Sequence, residues 1–233
     1  MNIVITGASS GVGRETVKIF AGIPGNRLIV IARNGMKIQA LSGECNIKRQ
    51  ETVVQPLQFD LATGDMESLA HQINRQLGKV DILINNAGAM LNKPLGMITA
   101  PEIEEVFSVN VKAPMLLIQA LLPLMKPGSH IVNIGSMGGV QGSVKFPGLS
   151  AYSASKGALA VLTECLAEEL KDRQIAVNCL AFGAVQTEML AKAFPGYEAP
   201  VSAGKMAEFV ADFALNGNRY FNGKILPVSL STP

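Results

Sequence analysis

The sequence predicts a doubly wound α/β fold, an open seven-stranded parallel sheet with helices on both faces. Three observations predict it. Short β-rich runs alternate with helical stretches from end to end, the pattern in which each parallel strand is followed by a crossover helix. The glycine-bearing stretches Gly7 to Gly13, Gly88, Gly135 to Gly148 and Gly183 fall at the carboxyl ends of strand candidates, the edge of an open sheet where ligands bind. With 48% apolar residues among 233, and no repeat, low-complexity segment or long Pro/Gly-rich linker, the chain reads as a single domain over 1–233 with ample material for a core.

The first strand candidate, Asn2–Thr6, runs into a glycine cluster with no basic region before it, where a signal peptide would still be apolar. A helix is predicted over Gly11–Ala21, then a strand over Arg27–Ala32 and a helix over Met36–Gly43. The pattern continues with a strand over Thr52–Phe59, a helix over Asp65–Leu77 and a strand over Val80–Ile84. A long helical stretch, Pro101–Leu124, precedes the strand His130–Ile134. Its most apolar part, Ala113 to Met125, contains Pro114, Gln119 and Pro123 and falls short of the roughly 20 residues that span a bilayer, so no membrane segment is expected. Helix Ala151–Lys171, strand Ile175–Leu180, helix Ala203–Leu215 and strand Lys224–Val228 complete the pattern.

Lysine and arginine number 20 against 18 acidic residues, a formal charge of +2. No broad basic field for nucleic acid follows from that balance. Cys45, Cys165 and Cys179 are odd in number and widely spaced, which suits neither a disulfide framework nor metal ligation; reduced, buried thiols in a cytoplasmic protein are expected.

The chemistry concentrates in Tyr152-Ser153-Ala154-Ser155-Lys156. Residues four apart share a helix face, so the Lys156 ammonium can lie near the Tyr152 phenol. An opposite charge within about 4–6 Å lowers a phenol from its usual pKa of roughly 10, which makes Tyr152 a candidate general acid and base. After the first strand, Gly7-Ala8-Ser9-Ser10-Gly11-Val12-Gly13 forms a G-x-x-x-G-x-G turn that opens a helix. There, glycines admit a pyrophosphate to free N–H groups at the positive dipole end. The second strand ends Ile31-Ala32-Arg33-Asn34 without a carboxylate. An acidic residue at that place selects the ribose hydroxyl of NAD and an arginine the 2′-phosphate of NADP, so Arg33 favours NADP(H) over NAD(H). Asp60 suits either the adenine amino group or the cap of the following helix.

Together these motifs resemble the short-chain dehydrogenase/reductase family across nearly the whole chain: Thr6-Gly7-x-x-x-Gly11-x-Gly13, Asp60, Asn85-Asn86-Ala87-Gly88, Asn110, Ser136, Tyr152-x-x-x-Lys156, and Gly183 with Thr187, in order. The resemblance implies a Rossmann-type fold and a catalytic tetrad of Asn110, Ser136, Tyr152 and Lys156. Tyr152 would exchange a proton with the substrate oxygen and Ser136 would hydrogen-bond that oxygen. Lys156 would hold the nicotinamide ribose and depress the Tyr152 pKa, and Asn110 would anchor a water leading to solvent. The implied cofactor contacts are Gly7, Ser9, Ser10, Gly11, Val12, Gly13, Arg33, Asp60, Leu61, Asn86, Ala87, Gly88, Tyr152, Lys156, Gly183, Val185 and Thr187. Plainer roles stand beside these: Asn110 as a helix-kinking residue, Asn85-Asn86-Ala87-Gly88 as a tie between strands, Thr187 as a helix cap.

The sequence departs from the family pattern in places. Ser136 and Tyr152 stand 152 − 136 = 16 positions apart, a few more than usual, and Phe182 occupies the place of a proline. The end, Pro227 to Pro233, lacks the usual acidic, glycine-bearing tail. Met189, Leu190, Phe194, Pro195 and Tyr197, with Met90, Leu91, Met137, Val140 and Phe146, are candidates for an apolar pocket over a carbonyl. The expected activity is NADP-dependent interconversion of a carbonyl and an alcohol, a ketone, aldehyde or 3-oxoacyl group among them. The alternatives are a non-catalytic dinucleotide-binding regulatory protein and a lyase on the same scaffold. A second apolar stripe on helix Ala151–Lys171 suggests a homodimer or homotetramer, and no metal is implied.

Overall fold

The computed structural model describes residues 1–230; the last three residues of the expected domain, Ser231, Thr232 and Pro233, lie outside the described residues. The elements follow as β1 (Asn2–Thr6), α1 (Gly11–Gly22), β2 (Arg27–Ala32), α2 (Gly35–Arg49), β3 (Val54–Gln58), α3 (Met66–Leu77), β4 (Val80–Asn85), α4 (Ala100–Phe107), α5 (Ala113–Leu121), β5 (Met125–Ser136), α6 (Ser150–Glu169), β6 (Ala176–Phe182), β7 (Val185–Gln186), α7 (Glu188–Ala193), β8 (Val201–Ser202), α8 (Ala203–Asn216) and β9 (Ile225–Val228). Seven strands form one sheet in the order β3-β2-β1-β4-β5-β6-β9, every pair parallel. The order reverses between β1 and β4, and this places a crevice above their carboxyl ends.

Alternate residues of each strand feed opposite faces, as a period of two requires. Ile3, Ile5, Leu28, Val30, Ile82 and Ile84 pack under α1, α2 and α8 with Val17, Phe20, Ile38 and Val210. Val4, Ile29, Ile31, Leu83 and Ile131 pack under α3, α5 and α6 with Leu69, Ile73, Leu117 and Leu166. The doubly wound arrangement therefore follows from near-continuous apolar strands that must be covered on both sides.

Two differences from the sequence expectation bear on the site. The single helix expected over Pro101–Leu124 is α4, a π-helical turn over Ser108–Lys112, and α5. Pro114, the second residue of α5, follows the π-helical turn, and with no N–H it cannot give the backward bond of a regular helix there. Helical structure runs unbroken over Ala100–Leu124, 25 residues, long and apolar enough by length and composition to cross a membrane, contrary to the shorter span estimated from Ala113 to Met125. Here its buried residues Val109, Asn110, Leu117, Ile118 and Leu121 serve as core. The second difference lies between Gln186 and Val201, where a short helix, α7, is framed by the parallel pair β7 and β8. Six residues of helix and two-residue strands fall below what apolar periodicity detects.

Candidate active site

The glycine turn is built onto the neighbouring strand rather than left loose. Asn86 donates its side-chain N–H groups to the carbonyls of Thr6 (3.1 Å) and Gly7 (3.0 Å). The Thr6 hydroxyl accepts from the backbone N–H groups of Asn86 and Ala87 at 3.1 and 3.0 Å. A Cβ on Gly7 would lie 2.7 Å from the Ala87 Cα, and one on Gly13 2.3 Å from the Asn86 side-chain nitrogen, so both glycines are demanded by this close packing. Gly11 is demanded by its backbone, with φ +55°. Asn86 thus acts as the tie between strands.

The amino end of α1 is left open. Ser10 makes no side-chain cap bond there, whereas Asn34, Asp65, Thr187 and Ser202 cap α2, α3, α7 and α8. An uncapped first turn suits an anion. Ser9 and Ser10 are half-buried and Val12 is buried at this turn.

The four expected catalytic residues come together at the carboxyl ends of β4 and β5 and the start of α6. Tyr152 and Lys156 are buried on α6, one turn apart. The Ser136 side chain, at the end of β5, hydrogen-bonds the phenol and accepts from the Gly138 N–H at 3.2 Å. Burial pushes the Tyr152 pKa up, and the bond to Ser136 opposes the rise. Lys156 donates to the Ile134 carbonyl at 2.8 Å, and burial lowers its ammonium to about 8. The structure therefore corrects one expectation: the phenol is governed by burial and Ser136, not by Lys156, whose ammonium turns toward β5.

Asn110 is completely buried in the π-helical turn, a distortion often found at functional sites. Its amide donates to the Ala89 carbonyl and the Ser155 hydroxyl, both at 2.9 Å, and accepts from the Ala89 N–H at 2.8 Å. Ser155 in turn donates to the Tyr152 carbonyl at 2.7 Å. Asn110 thus clamps the chain after Gly88 to the first turns of α6. Gly88 lies between the Asn110 oxygen and the Lys156 ammonium, which a Cβ there would approach to 3.5 and 3.6 Å. An open helix end and an ammonium with N–H donors beyond the one given to Ile134 fit the phosphate and hydroxyl groups of a dinucleotide.

Ser155, Asn133 and Thr163 escaped sequence reading as site-builders; Asn85, which heads the buried ladder Asn85–Asn133–Thr163, belongs to the segment expected to tie neighbouring strands. The Asn85 amide donates to Asn133 and the Asn133 amide to the Thr163 hydroxyl, each at 2.9 Å. A signal existed for Ser155, three residues from Tyr152 and therefore near it on the helix. Asn133, inside an apolar strand, gives none until its cross-strand partners are known. Cys179 is likewise buried beside this centre, its sulfur 2.5 Å from where a Gly135 Cβ would stand. Burial pushes its thiol up to about 11. Cys45 is buried too, but Cys165 is exposed, against expectation.

The remaining expected residues line the crevice less uniformly. Arg33 is exposed and pairs with Glu105 at 3.9 Å; a further arginine, Arg14 in the first turn of α1, pairs with Glu44 at 3.4 Å. The Asp60 carboxylate accepts from the Ala62 N–H at 2.9 Å; it does not cap α3, which Asp65 does. Leu61 packs half-buried against the core layer under α3, α5 and α6. Val185 is buried in β7, and Thr187 is the cap of α7, accepting from the Leu190 N–H at 3.2 Å, with its methyl group 3.2 Å from a Cβ on Gly11. Gly183 is required by the Ser229 side chain, 2.2 Å from its Cβ position. Phe182 ends β6 paired with Ser136 and Val228, its ring in the core, so a strand ladder holds the place of the proline.

The expected apolar pocket is only partly assembled. Met137 is buried, while Phe146, Met189 and Tyr197 are 49%, 40% and 50% exposed. A groove of about 380 Å³ runs beside the Ser136–Tyr152 loop, walled by Leu95, Phe146 and Leu149 with Ser153 alongside. The Lys145 ammonium shapes that loop through the Val140 carbonyl at 2.6 Å and the Ser143 carbonyl at 3.2 Å.

A sequence profile described as short chain dehydrogenase matches residues 1–198. The mouse (Mus musculus) protein dehydrogenase/reductase SDR family member 7B is 36% identical over 192 residues, 80% of this chain and 58% of its own length. The chain thus spans less than two thirds of that relative. Carbonyl reductase (NADPH) 2 of pig (Sus scrofa) is 33% identical over 193 residues, 81% of this chain and 73% of its own. A short chain dehydrogenase from Burkholderia cenocepacia, solved in complex with NADP, superposes with a TM-score of 0.85 at 28% identity, covering 97% of this chain and 95% of the other.

Proposed function

From the premise that this chain belongs to the short chain dehydrogenase family, we propose that it is an NADP(H)-dependent oxidoreductase interconverting a carbonyl and an alcohol, with Tyr152 as the general acid and base. The observation that carries the reading is the buried Tyr152 phenol hydrogen-bonded to Ser136, one helical turn from a buried lysine. NADPH, when bound, would supply the hydride. The chain supplies the proton.

Burial holds the phenol protonated, the state required to donate to a carbonyl oxygen as it gains charge. Ser136 would donate a hydrogen bond to the same oxygen as charge develops on it, a preorganised dipole. Lys156 is cationic below about pH 8, and with one N–H on Ile134 it offers the others to ribose hydroxyls. Asn110 keeps this face of α6 in place through Ser155 and Ala89. We read residues 1–233 as one such unit. Self-association through α6 and α5, where Val161 is 58% and Met115 51% exposed, belongs to the same proposal; sedimentation as a monomer at micromolar concentration would defeat that part.

NADPH consumption measured over ketones, aldehydes, 3-oxoacyl thioesters and sugars tests the reading. An active carbonyl whose turnover survives Tyr152→Phe undiminished would show that Tyr152 does not transfer the proton. Arg33 is proposed to meet the 2′-phosphate, and a preference for NADH that Arg33→Ala leaves unaltered would remove that argument.

A further inference from the structure

We infer that Lys37 determines 2′-phosphate specificity together with Arg33, and that Glu188 of the α7 segment is its internal competitor; the inference rests on the NADP reading above. Arg33 stands on the connection from β2 into α2, and Lys37, four residues on, lies in the first turn of α2. Asn34 caps that helix by accepting from the Lys37 N–H at 3.0 Å, which fixes the Lys37 backbone at a helix start that has no acidic residue in its first turn. Such a start favours an anion. Each of the two cations reaches a carboxylate on a different element: Arg33 meets Glu105 of α4 at 3.9 Å, and Lys37 meets Glu188 of α7 at 3.3 Å.

The Lys37–Glu188 pair joins segments 151 residues apart. Thr187, next to Glu188, rests its methyl group against Gly11 of the dinucleotide turn, so the pair crosses beside the turn. Arg14 differs, because its carboxylate, Glu44, is shared with Lys18 within the α1–α2 layer. Lys37 and Glu188 are 48% and 63% exposed, and an exposed pair of this kind is weak. A phosphate monoester carries about 1.5 to 2 negative charges and three acceptor oxygens, so it displaces a single carboxylate from an ammonium. Binding of the 2′-phosphate then frees Glu188 and, with it, the start of the α7 segment.

Calorimetric titration of the full chain with 2′,5′-ADP and with 5′-AMP tests this without turnover. For 2′,5′-ADP, Lys37→Ala is expected to weaken binding about tenfold, the loss of one charge-assisted contact. Glu188→Gln is expected to tighten it about threefold, the removal of a weak competing pair. Both should leave 5′-AMP unchanged. Amide exchange in residues 188–193 should rise when 2′,5′-ADP is added to the wild type. If Arg33→Ala lowers the preference for 2′,5′-ADP while Lys37→Ala does not, the inference is overturned and the NADP reading stands. If the wild type binds both nucleotides equally, the NADP reading fails first and the inference with it. Unchanged 2′,5′-ADP affinity in Glu188→Gln overturns the competitor role.

Discussion

Strands β5 and β6 bury polar groups at both of their ends, and the two ends use them in opposite ways. At the amino end, His130 holds the Ala214 carbonyl through Nδ1 (3.0 Å) and accepts from the Asn178 amide through Nε2 (3.1 Å). Asn178 also donates to the Phe221 carbonyl at 2.9 Å and accepts from the Lys224 N–H at 3.0 Å. These bonds, each within the protein, fix the neutral imidazole with its proton on Nδ1. At the carboxyl end, Tyr152 and Lys156 are also buried, yet among the described residues only Ser136 is committed to one and Ile134 to the other. Satisfied polar groups stabilise a fold, whereas buried groups with donors to spare are available to a ligand.

The sharpest way to break this contrast is to remove one group from each end. Tyr152→Phe is expected to lower kcat/KM for carbonyl reduction by about 10²- to 10⁴-fold, the usual contribution of a positioned acid, with the thermal midpoint nearly preserved. His130→Ala should do the reverse, leaving kcat within about twofold and costing about 2–4 kcal/mol in urea unfolding, because Asn178 and Ala214 lose a buried partner. Similar stability losses from both substitutions would erase the distinction.

Acid sharpens it further. His130 in the folded protein takes up its proton only near pH 4, because burial outweighs the bond to Ala214, against 6.5 for a free imidazole. Between those values the unfolded chain binds the proton and the folded one does not. Stability should therefore fall as the pH drops from 6.5 to 4, by up to about 3 kcal/mol. Urea midpoints across that range should flatten in His130→Gln. The carboxyl end answers to alkali instead: with Lys156 lowered to about 8 by burial, kcat/KM should decline roughly tenfold per pH unit above that value as the ammonium is lost. A flat profile from pH 7 to 10 would remove Lys156 from the reaction.

The carboxyl end was the more legible in the sequence. Gly7, Gly11, Gly13, Ser136, Tyr152 and Lys156 announce themselves by spacing, and the structure gathers them where the strand order reverses. What the spacing concealed was which neighbour does what. Gly13 looks like a phosphate residue but is demanded by Asn86. Thr187 and Asn86 serve as cap and tie, and Lys156 bonds to Ile134 instead of setting the phenol. Such assignments depend on partners that spacing alone does not show, 80 residues away for Asn86 with Thr6 and 22 for Lys156 with Ile134. The amino end was barely legible. His130 was read only as the first residue of a strand, because its partners Asn178 and Ala214 arrive from β6 and α8.

Between the two ends lies the Asn85–Asn133–Thr163 ladder, and it decides whether the ends are independent. Thr163 accepts from Asn133 and donates to the Leu159 carbonyl at 2.8 Å on its own helix, so the ladder pins α6 to β5 two turns beyond Lys156. Thr163→Val keeps the side-chain shape and leaves one Asn133 N–H unsatisfied, which should cost about 1–2 kcal/mol in urea unfolding. If the ladder serves only the fold, kcat/KM stays unchanged while stability falls. If it also sets the height of α6 over the sheet, kcat falls severalfold with KM constant and the alkaline limb near pH 8 shifts, since Lys156 reaches Ile134 from the same helix. The first outcome is expected, because Asn110 and Ser155 hold the catalytic turns of α6 independently of Thr163.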